Sequence, residues 1–211
     1  MDQFQNGYLE IILGPMFSGK TSKLIDIYKQ YDFCNINVLV VNHSEDNRYD
    51  TTKMTTHDGK QIDCEKWSTI TEFMDHHAVQ LMDDFPLAIL INEGQFFPDL
   101  QPCVQRLLNL YKAHVYVCGL DGDFQRQRFG QLLDLIPLCD KVTKLTSLCM
   151  GCRNGTPAIF SHRITEDIEQ KKIGSSESYI PVCRKCYVDA TTKTNTTTSI
   201  NININININN T

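Results

Sequence analysis

"GPMFSGKT", residues Gly14–Thr21, is the stretch that decides the fold of this chain. It matches the pattern G-x-x-x-x-G-K-[ST], in which successive backbone N–H groups surround phosphate oxygens and the following helix N-terminus adds positive potential. The pattern predicts that Lys20 reaches the β- and γ-phosphates of a nucleoside triphosphate and that the Thr21 hydroxyl ligates Mg²⁺. A chance glycine-rich turn is the alternative, and the flanking sequence weighs against it.

Strand and helix patterns lie on both sides of this loop. The apolar run YLEIIL (Tyr8–Leu13) precedes it as a buried strand, and apolar residues at helical spacing follow it from Ser18 to Phe33. Further elements are predicted as strands at Ile36–Val41, Leu87–Ile91 and His114–Leu120, and as helices from Thr69 to about Met82 and from Pro98 to Tyr111. Alternating strands and helices predict an α/β fold, a parallel sheet with helices on both faces.

Two connecting segments carry local signals of their own. Thr69 and Glu72 fit a capping box at the start of a helix. Ser44–Gln61 is polar and rich in Thr, Asp and Asn, which predicts a long mobile loop.

Length and charge limit the possible partners. With 211 residues the chain can bury one sizeable core and a small appended module. A net charge of −5 argues against wrapping nucleic acid. There is no basic-then-apolar signal pattern at the N-terminus and no run near the ~20 apolar residues of a membrane span. We therefore expect a cytoplasmic protein with no nucleic-acid or membrane partner.

The chain changes character after about Leu148, which suggests three parts. Residues 1–148 form the predicted nucleotide-binding α/β domain, 149–190 a small module with two cysteine pairs, and 191–211 a low-complexity tail. The Ile-Asn repeat of the tail has a strand-like period of two, but its repetitiveness favours disorder.

The cysteine pairs predict a structural zinc site. Cys149/Cys152 and Cys183/Cys186 are two C-x-x-C pairs, and each spacing lets both sulfurs face one tetrahedral Zn²⁺. The 30 residues between the pairs exceed the usual gap of roughly 15–20, so zinc would close the base of a large loop. Free thiols and a redox pair are the alternatives. The other five cysteines are scattered and are expected in the core.

A carboxylate follows the apolar strand that ends at Ile91. The segment INEGQFF (Ile91–Phe97) puts Glu93 at a strand end beside the predicted phosphate loop. A carboxylate there could accept a hydroxyl proton while Lys20 and Mg²⁺ offset developing phosphate charge. A surface acid or a capping residue is the alternative for Glu93.

Together these motifs resemble the type II thymidine kinase family, the zinc-containing cytosolic class. The resemblance covers about Tyr8 to Tyr187 and includes ILGPMFSGKT, EGQFFPD, LDGDFQR and IGSSESYIPVCRKCY. It implies a P-loop kinase-like α/β fold and transfer of the ATP γ-phosphate to the 5′-hydroxyl of thymidine, with ATP, Mg²⁺ and structural Zn²⁺ as cofactors. It also implies Glu93 as the catalytic base and an ATP site made of Gly14, Pro15, Met16, Phe17, Ser18, Gly19, Lys20, Thr21, Asp46, Arg48, Asn92, Gly94 and Gln95.

The substrate side is likewise implied by the resemblance. The family binds the base through a loop called the lasso, largely by main-chain groups, which corresponds here to Gln170, Lys171, Lys172, Ile173 and Gly174. Tyr179 would add a side-chain contact and Phe124 would lie against the nucleoside, while Met16 and Leu120 would line the pocket for the 5-methyl group. Arg163 matches a basic position near the lasso, and a solvated surface arginine is the alternative.

One position departs from the family pattern. Asn92 stands where the family usually has an aspartate that helps to hold Mg²⁺. An amide brings no negative charge, so we expect weaker metal binding, with Asp46 or Glu93 compensating and Asn92→Asp improving it.

Further expectations follow from the resemblance alone, namely a homotetramer inhibited by thymidine triphosphate. A P-loop NTPase that binds nucleic acid through its zinc module is the alternative function, and the acidic net charge argues against it. No role is predicted for His76 and His77, because adjacent residues of a helix do not share a face.

Overall fold

A computed structural model describes residues 6–46, 52–82, 86–165, 169–170 and 178–192. Arg48, four predicted lasso residues (Lys171, Lys172, Ile173 and Gly174) and the Ile-Asn tail lie outside the described residues. No helix in the described ranges is long and apolar enough to span a membrane.

A six-stranded sheet, parallel throughout, forms the centre of the fold. In chain order its strands are β1 (Tyr8–Leu13), β2 (Asn37–His43), β5 (Glu65–Trp67), β6 (Leu87–Ile91), β7 (His114–Gly119) and β8 (Lys141–Lys144). Across the sheet the order is β5-β2-β6-β7-β1-β8, so the phosphate-loop strand β1 lies between β7 and β8. The parallel sheet confirms the predicted fold class, and the four inner strands are those that the apolar runs predicted.

Helices cover the sheet. They are α1 (Lys20–Phe33), α2 (Ile70–His76), α3 (Ala78–Leu81), α4 (Leu100–Asn109) and α5 (184–192), with short 3₁₀ segments at Gly94–Phe96 and Leu132–Leu138. Alternate side chains of β1 pack on opposite faces of the sheet. Ile11 belongs to the core under α2 and α4, while Ile12 packs in the core under α1. Each fully buried Ile or Leu contributes roughly 1.5–3 kcal/mol, so both faces stabilise the sheet.

The predicted helix from Thr69 to Met82 is interrupted at His77. Its start is confirmed, because Thr69 and Glu72 form the capping box with hydrogen bonds in both directions. His77 then leaves the helical conformation, with φ −97° and ψ 17°, and the chain continues as α3. The Glu65 carboxylate, 2.9 Å from Nε2 of His77, holds the side chain at this break.

The predicted mobile loop at Ser44–Gln61 is wrong for the part that the structure describes. Strands β3 (Lys53–Thr55) and β4 (Gln61–Asp63) pair as an antiparallel hairpin. Its turn is held by Thr56, whose Oγ1 accepts from the Lys60 N–H at 2.9 Å, and Met54 is only 1% exposed. This polar segment is therefore ordered by one buried methionine and by the hydrogen bonds of its turn.

The two cysteine pairs belong to a small module beside the sheet. Two short antiparallel pairs build it, β9 (Ser147–Leu148) with β10 (Pro157–Ala158) and β11 (Phe160–Arg163) with β12 (Tyr179–Val182). Its own core contains Cys149, Cys183 and Tyr187, the last from α5. The division of the chain at residues 148 and 190 stays a prediction.

Candidate active site

The phosphate loop connects β1 directly to α1. A Cβ on Gly14 would lie 2.6 Å from Ser18 Oγ and 2.7 Å from the Leu145 carbonyl oxygen, so a side chain has no room there. Gly19, at φ 83°, takes the left-handed conformation that ends the loop and begins the helix. No side chain caps α1 there, so its first backbone N–H groups are available to an anion.

Lys20 and Thr21 begin α1 and face the same cavity. The Lys20 Nζ donates to the Pro15 carbonyl oxygen at 2.8 Å, which holds the ammonium group across the loop. Gly14 and Pro15 form the loop without lining the cavity, whereas each residue from Met16 to Thr21 lines it.

One cavity of about 270 Å³ brings the predicted ATP and substrate sides together. The phosphate loop forms one wall and Glu93 with Gln95 lies at the end of β6. Opposite them, the cavity is lined by Leu120, Phe124, Gln170 and Tyr179. Residues that the sequence places more than 100 positions apart therefore meet at one site.

Glu93 is held by a buried amide. It has φ 54° and ψ 42°, a left-handed conformation that few non-glycine residues adopt and that turns the chain sharply after β6. Gln95 donates from Nε2 to Glu93 Oε2 at 2.7 Å, and its Oε1 accepts from the Leu120 N–H at 3.0 Å. Because a backbone N–H only donates and a carboxylate only accepts, these two partners fix the orientation of the Gln95 amide.

Asn92 points into a buried polar network. The side chain is 3% exposed; its Nδ2 donates to Asn42 Oδ1 at 3.1 Å, and its Oδ1 accepts from Cys118 Sγ at 2.9 Å. Asn42 in turn donates to Asp46 Oδ2 at 2.9 Å. Neither Asn92 nor Asp46 is among the described residues that line the cavity, and Gly94 is buried and does not line it either.

Arg163 is buried at the substrate end of the cavity, so the alternative of a solvated surface arginine is wrong. Its guanidinium carbon lies 3.8 Å from the centre of the Phe124 ring, and its Nε donates to the Tyr179 hydroxyl at 3.0 Å. Its Nη1 donates to the Glu169 carbonyl oxygen at 2.5 Å and its Nη2 to that of Gln170 at 3.4 Å. The Arg163 side chain thus connects Phe124 and Tyr179, which together form an aromatic wall of the cavity, to Gln170 at the start of the lasso.

Gln170 forms a second connection at this end of the cavity. Its Nε2 donates to Asp123 Oδ2 at 2.7 Å and to the Arg128 carbonyl oxygen at 3.1 Å. Met16 and Leu120, the predicted methyl-pocket residues, both line the cavity.

The four cysteines converge as their spacing predicted. Their sulfur atoms all lie within 4.8 Å of one another, and Cys152 Sγ is 3.5 Å from Cys183 Sγ and 3.3 Å from Cys186 Sγ. Ligand sulfurs around one Zn²⁺ stand about 3.8 Å apart for bonds of ~2.3 Å, so the cluster fits this ion.

The charge state of Cys149 also suits a metal. Burial by itself would raise its pKa, but the backbone N–H groups of Cys152 and Cys183, with that of Gly151, lower the pKa to about 6. A thiolate is the form that ligates metal.

Sequence reasoning missed the tip of the β3–β4 hairpin. Thr55, Thr56, His57 and Asp58 line the cavity, and the His57 ring stacks against the Phe17 ring with 4.6 Å between their centres. The Asp58-Gly59 dipeptide was the available signal, because it is typical of a tight hairpin turn. Ser161 was also missed: its Oγ accepts from the Met16 N–H at 2.9 Å and joins the phosphate loop to β11.

Comparison with known proteins gives consistent matches. A family model described as thymidine kinase matches residues 7–187. The chain is 39% identical over 184 residues to the thymidine kinase of vaccinia virus (strain Western Reserve), a match that covers 87% of this chain and 98% of that protein. It is 40% identical over 184 residues to that of monkeypox virus, with the same coverages of 87% and 98%. The sheeppox virus (strain KS-1) protein is 40% identical over 181 residues, covering 86% and 97%.

Proposed function

Because this chain belongs to the thymidine kinase family, we propose that it transfers the γ-phosphate of ATP to the 5′-hydroxyl of thymidine, giving thymidine monophosphate. The observation that carries the proposal is the single cavity in which the phosphate loop, Glu93 and the aromatic wall of Phe124 and Tyr179 meet. Phosphoryl transfer depends on positioning and on electrostatic stabilisation, and this arrangement supplies both.

The phosphate loop binds ATP. Backbone N–H groups at the start of α1 surround the phosphates, and Lys20 exchanges the Pro15 carbonyl for phosphate oxygens. Thr21 and Glu93 line the cavity with oxygen atoms, which suit Mg²⁺. The ion would be held by the Thr21 hydroxyl and would offset charge on the phosphates. Gln95 lines the cavity beside Glu93, while Asp46, Asn92 and Gly94 lie behind its surface. Arg48 completes the predicted ATP set.

Glu93 accepts the proton of the 5′-hydroxyl. The Gln95 amide donates to one oxygen of the Glu93 carboxylate and so limits the rotation of a side chain that lines the cavity. Proton removal makes the oxygen a better nucleophile while Lys20 stabilises the charge that develops on the transferred group.

The aromatic wall and the lasso hold the nucleoside. Phe124 lies against the base and Tyr179 contacts it, with Arg163 fixing both rings. Met16 and Leu120 surround the 5-methyl group, and main-chain groups of Gln170–Gly174 read the polar edge of the base. Thymidine triphosphate would fit the same sites and act as a feedback inhibitor.

The four-cysteine cluster holds structural Zn²⁺, as in the zinc-containing type II branch of the family. The Tyr187 hydroxyl, from the core of this module, donates to the Phe124 carbonyl oxygen at 2.9 Å. By ordering the module that contains Tyr187, zinc would help to hold the Phe124 segment in place. We further propose a cytoplasmic homotetramer as the working form.

The direct test incubates zinc-loaded protein with ATP, Mg²⁺ and labelled thymidine. We expect labelled thymidine monophosphate in amounts equal to the ADP formed. Parallel tubes contain uridine or single-stranded DNA instead of thymidine. Absence of the monophosphate from folded protein, or ATP hydrolysis that DNA stimulates, would overturn the proposal.

A further inference from the structure

A second cluster of metal-ligating side chains lies where edge strand β5 meets the end of α2. It comprises Glu65, His76 and His77, whose nearest ligand atoms all lie within 4.8 Å of one another. The two histidines come together because α2 ends at His76 and His77 takes a non-helical conformation. Their rings stand nearly perpendicular, at 88°, with centres 4.9 Å apart.

The distances within the cluster suit a small cation. His77 Nε2 is 2.9 Å and 3.0 Å from the two oxygens of the Glu65 carboxylate. A tetrahedral ion with bonds of ~2.0–2.2 Å needs ligand atoms about 3.3 Å apart, so a movement of a few tenths of an ångström would admit it.

Neighbouring side chains hold each ligand in place. The His77 Nδ1 pairs with Gln80 Oε1, which leaves Nε2 facing Glu65. The indole N–H of Trp67 donates to Glu65 Oε2 at 2.9 Å, and its ring lies 5.2 Å from the His76 ring. Oriented ligands of this kind are typical of metal sites, where the second ring nitrogen of a histidine usually donates to an oxygen.

We propose that Glu65, His76 and His77 form a second metal site, for a divalent transition ion such as Zn²⁺, that joins β5 to the end of α2. Two imidazoles and one carboxylate favour Zn²⁺, Ni²⁺ and Cu²⁺ over Mg²⁺ and Ca²⁺. His77 is 6% exposed while the Glu65 side chain is 43% exposed, so the ion enters from solvent and keeps a water as its fourth ligand. None of the three lines the cavity, so the site is separate from the kinase reaction.

The test uses the protein's own fluorescence, because Trp67 is the only tryptophan in the chain and contacts two of the ligands. Full-length protein with its four-cysteine site loaded with zinc is titrated with Ni²⁺, a fluorescence quencher, in excess Mg²⁺. We expect saturable quenching with one Ni²⁺ per chain, reversed by added Zn²⁺.

Variants separate this site from binding elsewhere. His76→Gln keeps an exposed polar side chain and should weaken Ni²⁺ binding about 10–100-fold, and Glu65→Gln should do the same. Asp75→Asn, one residue earlier on the exposed face of α2, should bind as the parent does. Quenching that does not saturate, or that is unchanged in His76→Gln, would overturn the proposal.

Metal analysis gives a second readout that does not depend on quenching. After exposure to excess Zn²⁺ and gel filtration, the parent should carry two zinc ions per chain and His76→Gln one. Equal zinc content in both proteins would refute the site. Neither measurement uses kinase activity, so a negative result here leaves the thymidine kinase assay unaffected.

Discussion

Among individual residues, Glu93 is the proposed catalytic base. We predict that Glu93→Gln lowers kcat by about 10²–10⁴-fold, because the amide cannot accept the hydroxyl proton. The neutral side chain has the same shape, so thymidine affinity and the unfolding midpoint should stay near those of the parent. Steady-state kinetics and equilibrium binding of thymidine check this, and near-normal turnover would remove Glu93 as the base.

The structure changes the expectation for Asn92. Both ends of its amide are hydrogen-bonded inside the protein, to Asn42 and Cys118, so the side chain does not reach the cavity. In Asn92→Asp a carboxylate oxygen would face Asn42 Oδ1, which at present accepts a hydrogen bond. We now predict a loss of about 1–3 kcal/mol of unfolding free energy, with an unchanged Mg²⁺ concentration for half-maximal rate.

Urea unfolding and a Mg²⁺ titration of the rate measure the two quantities. Asn37→Asp, at the exposed start of β2, is the matched control and should unfold like the parent. A clear fall in the Mg²⁺ requirement of Asn92→Asp would restore the original expectation that position 92 helps to bind the metal.

Arg163 offers a test of substrate positioning. In Arg163→Lys a single ammonium group replaces a planar fork that contacts Tyr179, Glu169 and the Phe124 ring. We predict that KM for thymidine rises about tenfold or more while KM for ATP changes little. Arg106→Lys, on the exposed face of α4, should leave both constants unchanged. Equal increases in the two KM values would indicate general loosening instead.

At the level of strands and helices, Asp99 connects the starts of two helices. It lies directly before α4, and its carboxylate binds the first residues of α2. It accepts from the backbone N–H groups of Ile70 and Thr71 at 3.0 Å and 2.8 Å, and from the Thr71 hydroxyl at 2.6 Å. Burial by itself would raise the pKa of Asp99, but these hydrogen bonds outweigh it and lower the pKa. The charged carboxylate therefore stabilises the start of α2.

We predict that Asp99→Asn lowers the unfolding free energy by about 1 kcal/mol at pH 7. Because the folded pKa is the lower one, the parent's advantage is complete above the unfolded value of about 3.9 and is lost as pH falls through the folded value. Urea unfolding at several pH values from neutral to acid measures this. Exposed Asp26→Asn is the control, and a parent-to-variant difference that grows on acidification would contradict the assignment.

The sequence predicted the inner elements better than the outer ones, for a physical reason. β1 and β6 are buried runs, and their predicted and observed bounds agree. The edge strands β5 and β8 have only three and four residues. β5 is half-buried and β8 is mostly exposed, so no apolar period marks them. The break at His77 depends on Glu65, twelve positions away, and a local pattern carries no such information.

The same limit applies to the candidate site. The phosphate loop and the cysteine pairs are local motifs, so spacing alone was sufficient to find them. The buried state of Arg163 and the contact between Met16 and Ser161, by contrast, depend on how β11 packs beside the phosphate loop. The predicted metal role of Asn92 rested on a position in a motif, without knowledge of Asn42.

For the chain as a whole, the four-cysteine module is connected to the cavity wall by the hydrogen bond from the Tyr187 hydroxyl to the Phe124 carbonyl oxygen. We predict that Cys149→Ser releases zinc, lowers the melting temperature and raises KM for thymidine, because Tyr187 would no longer hold the Phe124 segment. Metal analysis, thermal unfolding and steady-state kinetics measure these effects. Cys34→Ser, outside the cluster, should behave as the parent does. This cysteine is exposed, so the expectation of a core position is wrong for it. Full zinc content in Cys149→Ser would mean that the ligand set is wrong.

The hydrogen bond from the Met16 N–H to Ser161 Oγ has a thermodynamic consequence. It connects the loop expected to bind ATP to the strand that carries Arg163, so we expect a change in one to affect the other. The two ligands should then show linkage: if bound ATP changes the affinity for thymidine by some factor, thymidine must change the affinity for ATP by the same factor. Measuring the affinity for one ligand with and without the other therefore gives the coupling free energy between the two parts of the cavity.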